Sequence, residues 1–172
     1  MRTSALACAW KAYRRLPIAT SLSRPAKQHD ATTPTVIEKP RMLIPMLVCR
    51  DAAAEIAFCQ AAFGAVELSR RTAEDGSVVH ATLMIHQSLF MVHDVSPHLA
   101  SQAPAMDGSC PVVTYLYGDE VDSMIEKAVS QGAKVLMPAA DQVWGDRVGR
   151  IVDPSGHVWN IASRISQSAR NV

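Results

Sequence analysis

The sequence is short of the residues that several protein classes require. Aromatic residues make up only 5% of the 172 positions, and charged residues only 19%. No apolar run comes near the roughly 18 residues that cross a bilayer, so a membrane-spanning role is not expected. The four cysteines, Cys8, Cys49, Cys59 and Cys110, form no CxxC pair. That spacing offers neither a zinc knuckle nor a disulfide framework, and reduced thiols are expected. A Ser-His-Asp order, a glycine-rich phosphate loop and a nucleophilic-cysteine signature are also missing.

Acidic residues are scarcest at the start of the chain. Before Asp30 there is none, whereas residues 1–41 carry eight Lys or Arg against Asp30 and Glu38. The rest of the chain carries nine basic against fourteen acidic residues, so the net charge of +1 conceals a basic leader on an acidic body. Basic residues are the minority where a nucleic-acid surface would have to be, and no nucleic-acid partner is expected. The leader, rich in Arg, Ser, Thr and Ala, reads as a disordered extension or a transit-like segment. The first reading gives a cytoplasmic protein, and the second a mitochondrial or plastid one. Apolar residues are 48% of the chain, enough for one real core.

Within the body a pattern occurs twice. Residues 44–65 read as strand, acidic cap, helix and Gly-Ala, and residues 113–133 repeat that order at an offset of 68 to 69. Residues 76–94 overlay 145–163 at the same offset. Each copy predicts β–α–β–β–β. In the second helix Val121, Met124, Ile125, Ala128 and Val129 form one apolar stripe, with Asp119 or Glu120 at its start and Gly132 at its end. In the first, Asp51 is the expected N-cap, Ile56, Cys59 and Phe63 face inward, and Gly64 ends the helix. Asp75-Gly76 and Asp153-Pro154-Ser155-Gly156 are turn signals. The expected fold is α+β: two βαβββ modules forming a curved eight-stranded mixed sheet, helices outside, with a concave cup. Module 1 spans 42–95, a linker 96–110 and module 2 111–165, inside a domain of 42–165 followed by a tail of 166–172.

Leu47-Val48-Cys49-Arg50-Asp51, Ala62-Phe63-Gly64-Ala65, Val79-His80-Ala81, Trp144-Gly145-Asp146-Arg147 and Asp153 through Trp159 together resemble the vicinal oxygen chelate superfamily. That superfamily contains glyoxalase I, extradiol dioxygenases and the bleomycin and fosfomycin resistance proteins, and the similarity is greatest to its uncharacterised glyoxalase-like subgroup. The resemblance implies four metal-ligand positions, which fall here on Ile44, Met91, Val113 and Asn160. None is a usual ligand for a divalent ion in an oxygen- and nitrogen-rich site. No cofactor is therefore expected, with a displaced divalent metal as the alternative.

Strand alternation puts Met46, Val48, Leu89, His93, Tyr115, Tyr117, Val158 and Ala162 on the face of those four positions. This mainly apolar cup suits a small organic ligand. Met46, Met91, His93, Tyr115, Tyr117 and Asn160 are its expected contacts. Trp144 is placed at its lip, with Arg147 or Arg150 as the partner of an anionic group. His93 and His80 are the candidates for catalysis. His86, His157, Glu67, Asp94 and Asp146 read as structural or solvated, and Trp159 as core. Three functions follow: a metal-independent binding module, a glyoxalase-like isomerase, lyase or dioxygenase, or an interaction subunit with a filled cup. The family often pairs chains to complete its cups, so a homodimer is expected.

Overall fold

The computed structural model describes residues 42–105 and 109–165. The basic leader, the tail from 166 and three residues of the linker lie outside the described residues.

Each copy of the repeat folds as one module. Module 1 runs β1 (Met46–Cys49), α1 (Ala52–Phe63), β2 (Val66–Thr72), β3 (Val78–Ile85) and β4 (Ser88–Asp94). Module 2 runs β5 (Val113–Tyr117), α2 (Val121–Ser130), β6 (Lys134–Asp141), β7 (Asp146–Val152) and β8 (Val158–Arg164). The fold is α+β, with two mixed sheets of four strands ordered β1-β4-β3-β2 and β5-β8-β7-β6. In both, the first strand lies parallel to the last, because the helix carries the chain across the sheet before the meander returns it.

The helices form where the caps direct them. Asp51 Oδ1 accepts from the Ala54 amide at 2.9 Å, and Gly64 closes α1 in the left-handed region at φ 68°. Helix α2 starts at Glu120, whose side chain makes no capping bond, and turns out through Gly132 at φ 99°. Val121, Ile125 and Ala128 of its stripe are buried, but Val129 is 43% exposed. Helix α1 is apolar nearly all round, as a helix covered on more than one side must be. It lies on its own sheet and also against α2.

One core therefore joins the modules. Phe63 meets Phe58 edge-on and the Trp159 ring at 5.1 Å, and Phe90 approaches Trp159 from the other side at 6.4 Å. Trp159 is 2% exposed, on the helix side as alternation predicts. Gly149 of β7 permits a close approach: a Cβ there would collide with Ile125 of α2 and lie 3.2 Å from the Ala139 backbone of β6.

Two residues expected to be solvated are not. Asp146 is 2% exposed, and Asp94 binds the amides of Ala52 and Val78, both at 2.6 Å, pinning α1 and β3 to the end of β4. Glu67 does stay at the surface, ion-paired with Arg70.

Candidate functional site

Opposite the helices, each sheet presents its second face, and strand register determines what stands there. In module 1, Met46 pairs with Met91 and Val48 with His93 across β1 and β4, and Thr82 pairs with Met91 across β3 and β4. In module 2, Val113 pairs with Val158, Tyr115 with Asn160 and Tyr117 with Ala162. Arg150 of β7 is the next residue in the Tyr115–Asn160 row, and Val148 the next beside Ala162. Ile44 lies just ahead of β1 rather than within it.

The face of module 1 carries two imidazoles. His93 is 4% exposed, with its Nδ1 2.7 Å from the Asp94 carbonyl oxygen, so that nitrogen donates and Nε2 is the unprotonated acceptor in the neutral ring. His80, half-buried, has its Nε2 3.2 Å from the Thr82 hydroxyl.

The face of module 2 is more polar. Its floor of Val148, Val158 and Ala162 is buried. Above it, Tyr115 and Tyr117 stack at 5.5 Å between ring centroids. The Tyr117 hydroxyl donates to Asp146 Oδ2 at 2.9 Å, and that carboxylate raises the phenol pKa above its ordinary value. Arg164 lies 3.2 Å from Asp146 Oδ1 and 5.8 Å over the Tyr117 ring. Arg150 Nε donates to Asn160 Oδ1 at 2.8 Å.

Arg147 stands on the other side of the strand. It faces α2, where its guanidinium binds Asp122 at 2.6 and 2.8 Å and Asp141 at 2.9 Å. Trp144, 52% exposed, caps the β6–β7 turn beside Val143 at 98%. Of the two arginines weighed for an anion, the strand parity selects Arg150. The signal was present in the sequence, since Arg150 sits four residues from Asp146 and so shares its face.

The two faces are not joined edge to edge within the chain. Strand β1 pairs with β4 and β5 with β8, and no strand of one sheet is hydrogen-bonded to a strand of the other among the described residues. At the seam of the two sheets opens a cleft of about 730 Å³, walled by Ile44, Leu47, Phe90 and Trp159 and reaching Tyr115 and Tyr117. The sequence-predicted residues thus fall into three groups. Met46, Met91, His80 and His93 share one face, Tyr115, Tyr117 and Asn160 the other, and Ile44 lies in the cleft with the two tyrosines.

A divalent metal does not fit the positions where the resemblance would place it. Ile44 and Val113 have no donor atom, Met91 offers a thioether, and the Asn160 oxygen already accepts from Arg150. No group of three or more His, Cys, Asp or Glu side chains is arranged to hold a metal among the described residues.

A second polar cluster lies at the junction of the modules. Asp153 accepts from the Trp159 indole at 2.7 Å and from the amides of Ser155 and His157 at 2.9 and 2.8 Å. Glu55 of α1 is 1% exposed, with Oε2 unbonded among the described residues, and its other oxygen accepts from the Cys59 thiol at 3.2 Å. Burial first, then the Asp153 charge, pushes the Glu55 carboxyl up to about 8. Burial likewise raises the Cys49 and Cys59 thiols and lowers His157. These thiols are protonated and shielded, which makes them poor nucleophiles.

Paired βαβββ modules, each with one open sheet face, define a class of proteins built from one duplicated unit. The chain belongs to the Glyoxalase/Bleomycin resistance protein/Dioxygenase superfamily, whose family model matches residues 41–161. It is 37% identical over 154 residues to Uncharacterized protein Rv0887c of Mycobacterium tuberculosis strain H37Rv, covering 86% of this chain and 90% of that one. Among solved structures, it is similar to a gene product of Arabidopsis thaliana, AT5G48480, at 26% identity and TM-score 0.58, covering 72% of this chain and 99% of that one. TioX from Micromonospora sp. ML1 shares the fold at 24% identity and TM-score 0.59, covering 73% and 100%.

Proposed function

We propose that the protein binds a small organic molecule on its concave faces, without a divalent metal at the family's ligand positions. The observation that carries this reading is the face itself. It combines an apolar floor with a few fixed polar groups, the pattern of sites that hold small molecules by burial and orient them by a handful of hydrogen bonds. The replacement of ligand side chains at Ile44, Met91 and Val113 supports binding without a metal.

The site is completed by a second copy of the chain. In support of this, the β1 and β5 edges have no partner strand on their outer side among the described residues. Met46, Val113, Tyr115 and Tyr117 are 40–46% exposed on the faces those edges border. Setting β1 of one chain beside β5 of another continues the sheet and brings the two concave faces into one cup. Light scattering then gives a mass twice that of the 18.6 kDa chain.

A second reading is favoured by His93 and His80. The His93 ring, held through Nδ1 with no bond at Nε2 among the described residues, stands on the same face as the ligand, within reach of a general-base role. It would make the protein a glyoxalase-like enzyme acting by proton transfer.

The test is a ligand-observed NMR screen of small amphipathic compounds in the presence of a chelator. Binders are expected at micromolar to millimolar affinity, and Met91→Trp, which fills the face, removes them while leaving the melting temperature nearly unchanged. A screen without binders, or binders indifferent to Met91→Trp, contradicts the proposal.

A further inference from the structure

Three arginines sit on the last two strands of module 2, and two of them have carboxylate partners. Arg147 is held by Asp122 and Asp141, and Arg164 by Asp146. Arg150 has only the Asn160 amide oxygen, a neutral acceptor, among the described residues. Yet Arg150 is the half-buried one on the concave face, over buried Val148 and beside Asn160, which is 7% exposed. A partly dehydrated cation without a counter-charge is unfavourable, and side chains in that condition are normally paired.

The geometry points to a carboxylate as the missing partner: we propose that Arg150 and Asn160 form an anion seat for the carboxylate of an apolar, ring-sized ligand. This deepens the small-molecule reading and rests on it. The bond from Nε to Asn160 fixes the guanidinium plane and leaves the terminal nitrogens as a two-pronged donor, which matches a planar carboxylate. Register supplies the rest of the ligand. The row Tyr115, Asn160, Arg150, Met137 runs across β5, β8, β7 and β6. At roughly 4.8 Å per strand, the Tyr115 ring stands about 10 Å from Arg150 along the row. That span accommodates one carboxylate attached to an aromatic or short aliphatic body stacked on Tyr115. Arg164 does not compete for this role, because the buried Asp146 carboxylate neutralises it. A lysine would supply charge but not the fork, so the proposal depends on arginine at this position.

The test is calorimetric titration of the full chain with matched probes: benzoate, phenylacetate and 2-naphthoate, each against its neutral carboxamide. Wild type is expected to bind the acids at least about tenfold more tightly than the amides, as charge-assisted bonds exceed neutral ones. Arg150→Gln removes that preference and leaves amide binding in place, Arg150→Lys retains part of it, and Tyr115→Ala weakens both series alike. Circular dichroism and the melting temperature establish that each variant is folded. If Arg150→Gln fails to fold, the Arg150→Lys acid-to-amide ratio decides, a value equal to wild type counting against the proposal. Equal binding of acids and amides by wild type overturns the anion seat alone, as does an acid preference that survives Arg150→Gln. Binding of neither series overturns the anion seat and the small-molecule reading together.

Discussion

Glu55 is a helix residue that the chain holds nearly as deep as its isoleucines, with a carboxyl pushed up to about 8 by burial and by Asp153. The native state therefore keeps a proton that an unfolded glutamate releases near its ordinary value of 4.5. Because the folded form binds more protons between those two values, its stability falls as pH rises through that window and levels off above it. The contribution is at most about 1.4 kcal/mol per pH unit. Chemical denaturation between pH 5 and 9 is expected to show this decline, and Glu55→Gln is expected to flatten it and to be the more stable protein at pH 9. A wild-type profile rising through pH 8, or a variant with the same slope, would contradict this assignment. Nothing in the amino-acid pattern marked Glu55, since a charged residue among alanines looks like one on a solvated face. It becomes buried only because module 2 covers α1. Asp146 was misjudged for the same reason, its neighbours Tyr117 and Arg164 being distant in sequence. Arg147 and Arg150 differ otherwise: once β7 is known to begin at Asp146, parity alone separates them.

At the scale of elements, local chemistry was legible wherever the signal was itself local. Asp51 and Gly64 bound α1, the Asp153–Gly156 turn joins β7 to β8, and alternation sorted Trp159 from Asn160. What the sequence could not reveal is that the two helices pack together, which is a fact about the pairing of modules and not about either helix. Val129 shows the limit: it continues the apolar stripe of α2, yet α1 covers only part of that stripe. The helix junction also carries a prediction. Phe63 touches Phe58 of its own helix and Trp159 of the other module, so Phe63→Ala removes a contact that spans the repeat. A loss of about 3–5 kcal/mol is expected by urea denaturation, with both modules unfolding in one transition. Two separated transitions would mean that the modules are stable apart and that their shared core is weak.

For the whole molecule, duplication explains both what could be read and what could not. Two copies of one unit at an offset of 68 to 69 are visible in a single sequence, and with them the number and order of strands. The space between the copies is not encoded in either one. Hence the open β1 and β5 edges, the cleft at the seam and the division of expected site residues among three places emerged only from the structure. No helix among the described residues is long and apolar enough to cross a membrane. The same duplication places Ile44 with Val113 and Met91 with Asn160 as equivalent positions, and none of these side chains is a usual ligand for the family's metal chemistry, the basis of the proposed departure from it. Elemental mass spectrometry of the purified chain, as isolated and after exposure to Ni²⁺, Zn²⁺, Mn²⁺ and Fe²⁺ followed by desalting, tests that departure most directly. The account predicts no metal near one equivalent per chain under any condition. One tightly held ion per chain, lost in His80→Ala or His93→Ala, would contradict it and move the imidazole face to the centre of a metal-dependent enzyme.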